Sequence, residues 1–259
     1  MNGNLLYDNN PSSEYECEGL FLYSEFRTII HLTESERVKG CHPDQQRFKD
    51  ILDNVREGNI AESDWKVLLQ RTPNRCKDKK AFSSSLRLSF GNKQVAYFNY
   101  ESLKKLNKPI AKIKAFHNHS RAAKLSSDDM EGLVPCLFLS EGCRVMLTRN
   151  LWTETGLVNG SLGTVQKIVY QMNHGPPALP SVVIVQFEKY TGPSCMSSSA
   201  NCVPIIPCTC TSQAFGQKFE RTQFPLKLAW AITIHKSQGL TLDSAWVDLG
   251  KSERSLGLS

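Results

Sequence analysis

Apolar residues along this chain mark strands alternating with helices first and short β-rich runs later, and the change of character divides it. Pro43, Phe48, Ile51, Leu52 and Val55 predict a helix with proline in its first turn and Gly58 at its stop. Trp65, Leu68 and Leu69 predict a second helix, and Val95, Phe98, Leu103 and Leu106 a third over residues 94–106. Residues 27–32, 86–90, 110–116 and 144–148 read as strands. Residues up to about Glu18 are polar and carry Pro and Ser, which predicts an extended lead-in. The alternation of strand with helix predicts an α/β layer built on a largely parallel sheet.

From Gly156 to about Thr222 the character changes. Short β-rich runs at residues 162–170 and 182–187 stand between loops such as His174-Gly175-Pro176-Pro177 and Ser197-Ser198-Ser199. This is the pattern of a small β-barrel inserted in an α/β domain. Beyond it, Leu226, Leu228, Trp230, Ala231 and Ile234 read as one stripe of a helix, and residues 244–249 as a buried strand.

The helical stripe ends in a polar cluster, Thr233-Ile234-His235-Lys236-Ser237-Gln238-Gly239-Leu240-Thr241-Leu242-Asp243. Lys236 supplies charge, Ser237 and Gln238 offer hydrogen bonds to phosphate or ribose oxygens, and Gly239 lets the backbone turn sharply. On pattern alone this is either a phosphate grip or an amphipathic helix that ends in a solvated polar turn.

Composition narrows the setting. The chain has 259 residues, 40% of them hydrophobic, enough for one sizeable domain or one with an insertion. Its 31 basic and 25 acidic residues give a net charge of +6, a mild lean toward an anionic partner. No run approaches the roughly 18 to 20 apolar residues that span a bilayer, and Met1-Asn2-Gly3-Asn4 opens no signal peptide. Nine cysteines without a regular framework fit reduced thiols, and no structural disulfide is expected. Cys195, Cys202, Cys208 and Cys210 cluster but lack the paired Cys-x-x-Cys elements of a zinc site. An intracellular protein is expected, nuclear or alternatively mitochondrial, with no membrane partner. His117-Asn118-His119 and Asp128-Asp129-Met130-Glu131 are read as surface loops.

Phe224-Pro225-Leu226-Lys227-Leu228-Ala229-Trp230-Ala231-Ile232-Thr233-Ile234-His235-Lys236-Ser237-Gln238-Gly239 closely resembles motif V of superfamily 1 helicases of the RecD and petite-integration-frequency (PIF) branch. Asp248-Leu249-Gly250, Gly142-Cys143-Arg144-Val145-Met146-Leu147-Thr148-Arg149-Asn150-Leu151, Gly156-Leu157-Val158-Asn159-Gly160 and Gly163-Thr164-Val165 also resemble that family. The likeness runs from about Gly19 to Gly257 and is nearest to Helitron-type transposon helicases and their cellular PIF relatives. It implies a RecA-like second motor domain of a helicase with an inserted SH3-like β-barrel. The expected divisions are a lead-in over residues 1–18, motor domain over 19–155, SH3-like insertion over 156–224 and motor domain again over 225–259.

The resemblance also implies ATP-driven, 5′-to-3′ translocation on single-stranded DNA and unwinding at duplex junctions, by a monomeric motor that uses ATP and Mg2+. Its motif V assigns His235, Lys236 and Ser237 to the nucleic-acid backbone, and Gln238 with Gly239 to coupling between that strand and ATP. Most distant members of the superfamily carry Glu, a ribose contact, where Thr241 stands. Arg37, in Leu32-Thr33-Glu34-Ser35-Glu36-Arg37, matches an element that supplies an arginine to the γ-phosphate, although Val38 replaces the usual Gln. Without the resemblance Arg37 reads as a surface ion-pair partner. Asn92 and Lys93 match a Thr-Asn element that contacts phosphate, with Gly91 in place of Thr; the alternative is a helix cap with a solvated lysine. Arg221 and Gln223 either line the DNA groove or brace the insertion.

The chain holds no Gly-x-x-x-x-Gly-Lys-Ser/Thr loop: Gly250-Lys251-Ser252 is a fragment of one, but Ala245 occupies the first glycine position. The ligands of ATP and Mg2+ are therefore expected mostly on a motor domain outside this sequence, and motif VI beyond Ser259. A portion of a helicase that hydrolyses ATP poorly by itself is the expected function; the alternative is a non-catalytic DNA-binding or interaction module.

Overall fold

The computed structural model describes residues 13–31, 42–214, 216–240 and 242–248. Its chain divides into two compact units, the first ending at Arg71 and the second running from Thr72. The first unit is helical, with α1 (Glu14–Ser24), α2 (Pro43–Arg56) and α3 (Glu62–Gln70). Ser13 caps α1 by accepting a hydrogen bond from the Glu16 amide at 3.3 Å, and Glu14 and Glu16 favour its positive N-terminus. Over residues 13–18 these caps replace the expected extended lead-in with a helix from residue 14, and residues 1–12 lie outside the described residues. The strand expected over 27–32 is also corrected: residues 27–31 carry no regular structure, and Ile29 and Ile30 lie exposed with no strand beside them. Helix α2 starts on Pro43, as predicted, and buries Ile51. Asp64 of α3 accepts from Asn54 Nδ2 at 2.9 Å and from the Ala61 amide at 3.3 Å, which ties α3 to α2.

The second unit contains, in order, β1 (Leu86–Ser89), α4 (Asn92–Lys104), β2 (Ala111–Lys114), β3 (Phe116–His117), β4 (Cys136–Leu139), β5 (Arg144–Leu147), β6 (Leu162–Val169), β7 (Val182–Phe187), β8 (Cys202–Ile205), β9 (Cys208–Ala214), β10 (Gln217–Gln223), β11 (Leu226–Leu228), β12 (Ala231–Thr233), α5 (Ile234–Ser237) and β13 (Ala245–Val247). Parallel pairing is confined to one three-stranded sheet, β12-β1-β13. The other sheets are antiparallel: β3-β10-β9, β2-β4 and a five-stranded β11-β5-β6-β7-β8. The expectation of a largely parallel sheet is thus corrected. The continuous apolar run of β5 reflects cover on both faces, which antiparallel strands also receive when packed inside a domain.

The main core gathers Leu103 of α4, Ile113, Leu139, Val145, Val165, Val183, Val185, Phe187, Phe224 and Leu226. Strand β7 alternates in burial, with Val183, Val185 and Phe187 inward, although its sequence is a nearly continuous apolar run. The five-stranded sheet begins at Arg144, before residue 156, and ends on Leu228, after residue 224.

Residues 226–234 do not form the expected helix. Leu226 and Leu228 sit in β11 against Leu147 and Val145, and Ala231 to Thr233 form β12 beside β1. The apolar spacing 226/228/230 is also a two-residue period, and two waiting sheets decide in favour of strands. The strand expected over 244–249 is present as β13, but it is half-buried rather than buried, with Val247 54% exposed. His117-Asn118-His119 is more than a loop: His117 pairs with Arg221 across β3 and β10, and Asn118 bonds the backbone of Lys218 and Glu220.

Candidate nucleic-acid interface

The parallel register places Ser89 of β1 beside Thr233 of β12, so both strands end at the same edge. From that edge the chain leaves as Phe90-Gly91-Asn92-Lys93, opening α4, and as the single turn α5 followed by Gln238 and Gly239. The structure therefore brings together Asn92, Lys93, His235, Lys236, Ser237, Gln238 and Gly239. Asn92, Lys93, His235, Lys236 and Gln238 are exposed. The rings of Phe90 and His235 lie 6.4 Å apart, centroid to centroid, giving the edge an aromatic surface beside its cations. The amides at the start of α4 carry the positive end of a 13-residue helix to the same place.

Within the turn, Ser237 Oγ donates to the Ile234 carbonyl at 2.7 Å and keeps its lone pairs free to accept. Gly239 has φ of 87°, the left-handed region that side chains disfavour, and the Leu240 amide closes the turn on the Ser237 carbonyl at 3.0 Å. Lys236 Nζ stands 3.7 Å from Asp128 Oδ1, whose side chain is 82% exposed. Arg37 and Thr241 lie outside the described residues.

Two residues that sequence reasoning missed hold this edge. Asn99 of α4 is buried and bonds four backbone groups: Nδ2 donates to the carbonyls of Leu228 and Ala231 at 3.3 and 2.9 Å. Its Oδ1 accepts from the amides of Trp230 and Ala231 at 3.0 and 2.8 Å. Its signal was present, since Asn99 falls four residues from both Val95 and Leu103 on the inward face of α4.

The other is Lys227 of β11. Its ammonium is held down to about 8, first by burial and then by the neighbouring charge of Lys236, with Asp128 opposing weakly. A lysine whose folded value is lowered costs stability while it is charged in the fold, below about 8. That cost is relieved as pH rises toward the unfolded value near 10.5. Lys227→Met is therefore expected to raise stability at neutral pH by an amount on the order of 1–2 kcal/mol. The gain should shrink between pH 8 and 10.5, which thermal melts across that range would reveal.

Lys227, Lys236 and His235 line a cleft of about 500 Å³ with Asp128, Thr148 and Asn159. Arg221 and Gln223, by contrast, belong to no groove. Arg221 is fully buried among carbonyls of the 122–133 segment, and Gln223 donates to the Ile113 carbonyl while accepting from the Phe224 amide. They brace the fold. Among the described residues no group of three or more His, Cys, Asp or Glu side chains could hold a metal ion, and no helix is long and apolar enough to cross a membrane.

Comparison with known proteins places this geometry. Residues 125–168 match the family model for the DNA helicase Pif1, 2B domain. The chain is 29% identical over 238 residues to the ATP-dependent DNA helicase PIF1 of Danio rerio, covering 89% of this chain and 33% of that protein. The crystal structure of Pif1 helicase from Candida albicans superimposes with a TM-score of 0.63 at 25% identity, over 84% of this chain and 49% of that one. That of Pif1 helicase from Bacteroides in complex with ADP-AlF3 and single-stranded DNA does so at 0.56 and 20% identity, over 95% and 54%. The mixed α/β architecture is that of the RecA-like helicases. Within them, these likenesses support a Pif1-like superfamily 1 helicase, and the chain spans about a third of the length of the vertebrate relatives it matches.

Proposed function

We propose that this chain is the DNA-gripping portion of an ATP-dependent DNA helicase that moves 5′ to 3′ along single-stranded DNA and unwinds duplex junctions as a monomeric motor. In this reading residues 19–155 and 225–259 belong to the second motor domain, and residues 156–224 to the SH3-like insertion. His235, Lys236 and Ser237, with Asn92 and Lys93, hold the DNA backbone. Gln238 and Gly239 transmit the state of bound ATP, and Arg37 reaches its γ-phosphate. ATP and Mg2+ are held mainly by residues that this sequence does not contain, because it has no Gly-x-x-x-x-Gly-Lys-Ser/Thr loop.

The observation that carries this reading is the shared edge of β1 and β12, where two cationic, hydrogen-bonding segments emerge side by side next to an aromatic pair. Phosphate-tracking cations with interleaved rings are what single strands require. The test is binding of a labelled oligothymidylate as salt is varied. Replacing His235 and Lys236 with Ala should weaken binding about tenfold. It should also flatten the dependence of log affinity on log salt by about 0.7 per lost phosphate contact. An unchanged salt slope would remove His235 and Lys236 from the DNA backbone.

A further inference from the structure

Two lysines converge from segments distant in the fold with too little negative charge between them. Lys227 rises from β11 and Lys236 from α5, and the charge of Lys236 disfavours that of Lys227. Among the described residues Lys227 has no carboxylate within 4.0 Å, and Lys236 has Asp128 at 3.7 Å on a largely solvated side chain. Glu131, the other acid lining the cleft, is already engaged by Arg149. A half-buried ammonium beside an exposed one is stabilised by an anion. The same cleft carries a second sign of an absent ligand: Thr148 is 8% exposed, and its buried Oγ1 has no hydrogen-bond partner. Two lysines lining one open cleft, with an unpartnered hydroxyl in its wall, suit a tetrahedral oxyanion.

We propose that Lys227 and Lys236 form a binding site for a backbone phosphate of single-stranded DNA, seated in the cleft bounded by Thr148 and the Asn159-Gly160 turn. The inference rests on the DNA-gripping reading above and adds Lys227 to the residues that reading names. Lys236 thereby bridges the exposed edge and the cleft, so the strand is held at two depths rather than along one surface.

The cleft has a pH signature. Bound phosphate favours the charged form of Lys227, so affinity is full below about 8 and falls as pH rises through that value. Facing Lys227 are Lys236 and His235 from α5 and Asp128 and Glu131 from the turn before β4, whereas Met146 and Thr148 from the β5 side are uncharged. A window from about pH 7.5 to about 9.5 brackets the value of about 8 for Lys227.

The experiment uses the full chain and a labelled oligothymidylate across that window, with inorganic phosphate as competitor and a thermal melt of every variant. Wild type is expected to lose about fivefold in affinity from the bottom of the window to the top. Lys227→Met should lose about tenfold at the bottom and show no further fall. Lys227→Arg, charged throughout, should keep the affinity and lose the pH dependence. If Lys227→Met keeps wild-type affinity and pH profile while Lys236→Ala weakens binding, the cleft site is wrong and the edge grip stands. If wild type does not bind the oligonucleotide, both fail. If Lys227 governs phosphate binding but not oligonucleotide binding, the site serves a free anion and the assignment to DNA is overturned.

Discussion

Arg221→Met is expected to destabilise the second unit by about 3–5 kcal/mol, measured by urea unfolding. Arg221 is 0% exposed, and its guanidinium serves as a hub for a loop. Nη1 donates to the Leu133 carbonyl at 2.7 Å and the Ser126 carbonyl at 3.5 Å; Nη2 donates to those of Ala122 and Leu125 at 2.6 and 2.9 Å. Methionine fills much of the volume but donates nothing, and each buried carbonyl left unpaired costs about 1–3 kcal/mol. Lysine should rescue little, because one ammonium cannot reproduce a planar fork that spans four acceptors. The hub also fixes the segment that carries Asp128, the partner of Lys236, so the variant should alter the salt dependence of DNA binding as well. A loss below about 1 kcal/mol would mean that water replaces the guanidinium, and the hub would then be dispensable.

Arg221 also shows what the sequence made legible and what it did not. Phe219, Arg221 and Gln223 alternate with Glu220 and Thr222, and parity alone puts all three on the inward face of β10. A charged side chain on that face argues for the surface instead, and nothing local reveals that four carbonyls about 90 to 100 residues earlier await it. Where neighbours along the chain suffice, reading succeeds: Pro43 starts α2, and the β-rich run at residues 182–187 is β7. Where a partner strand decides, it fails. Residues 226–234 accept either period until β5 and β1 select strands, and β5 reads as parallel until β6 and β11 flank it antiparallel. The polar cluster at 235–239 was visible because its chemistry is contiguous. Lys227 was not, because its perturbation arises from burial and from a lysine nine positions away.

The second large effect is expected at Asn99, which never meets the surface of the interface it supports. Asn99→Ala should cost about 3 kcal/mol in unfolding free energy, since it leaves two carbonyls and two amides of the 228–231 link unpaired in a buried site. Asn99→Asp tests the same bonds separately. It keeps both acceptances from the amides of Trp230 and Ala231, loses both donations, and introduces a buried charge, so it should destabilise at least as much at neutral pH. The link it secures ends β11 and begins β12, two strands in different sheets, and β12 delivers Ile234 to Gly239 to the edge. Amide hydrogen exchange should therefore accelerate in residues 231–239 of Asn99→Ala under conditions where the molecule remains folded, and affinity for single strands should fall with it. A purely global loss of stability would speed exchange across the whole second unit. If residues 231–239 are spared at mild destabilisation, Asn99 stabilises the fold without positioning the grip.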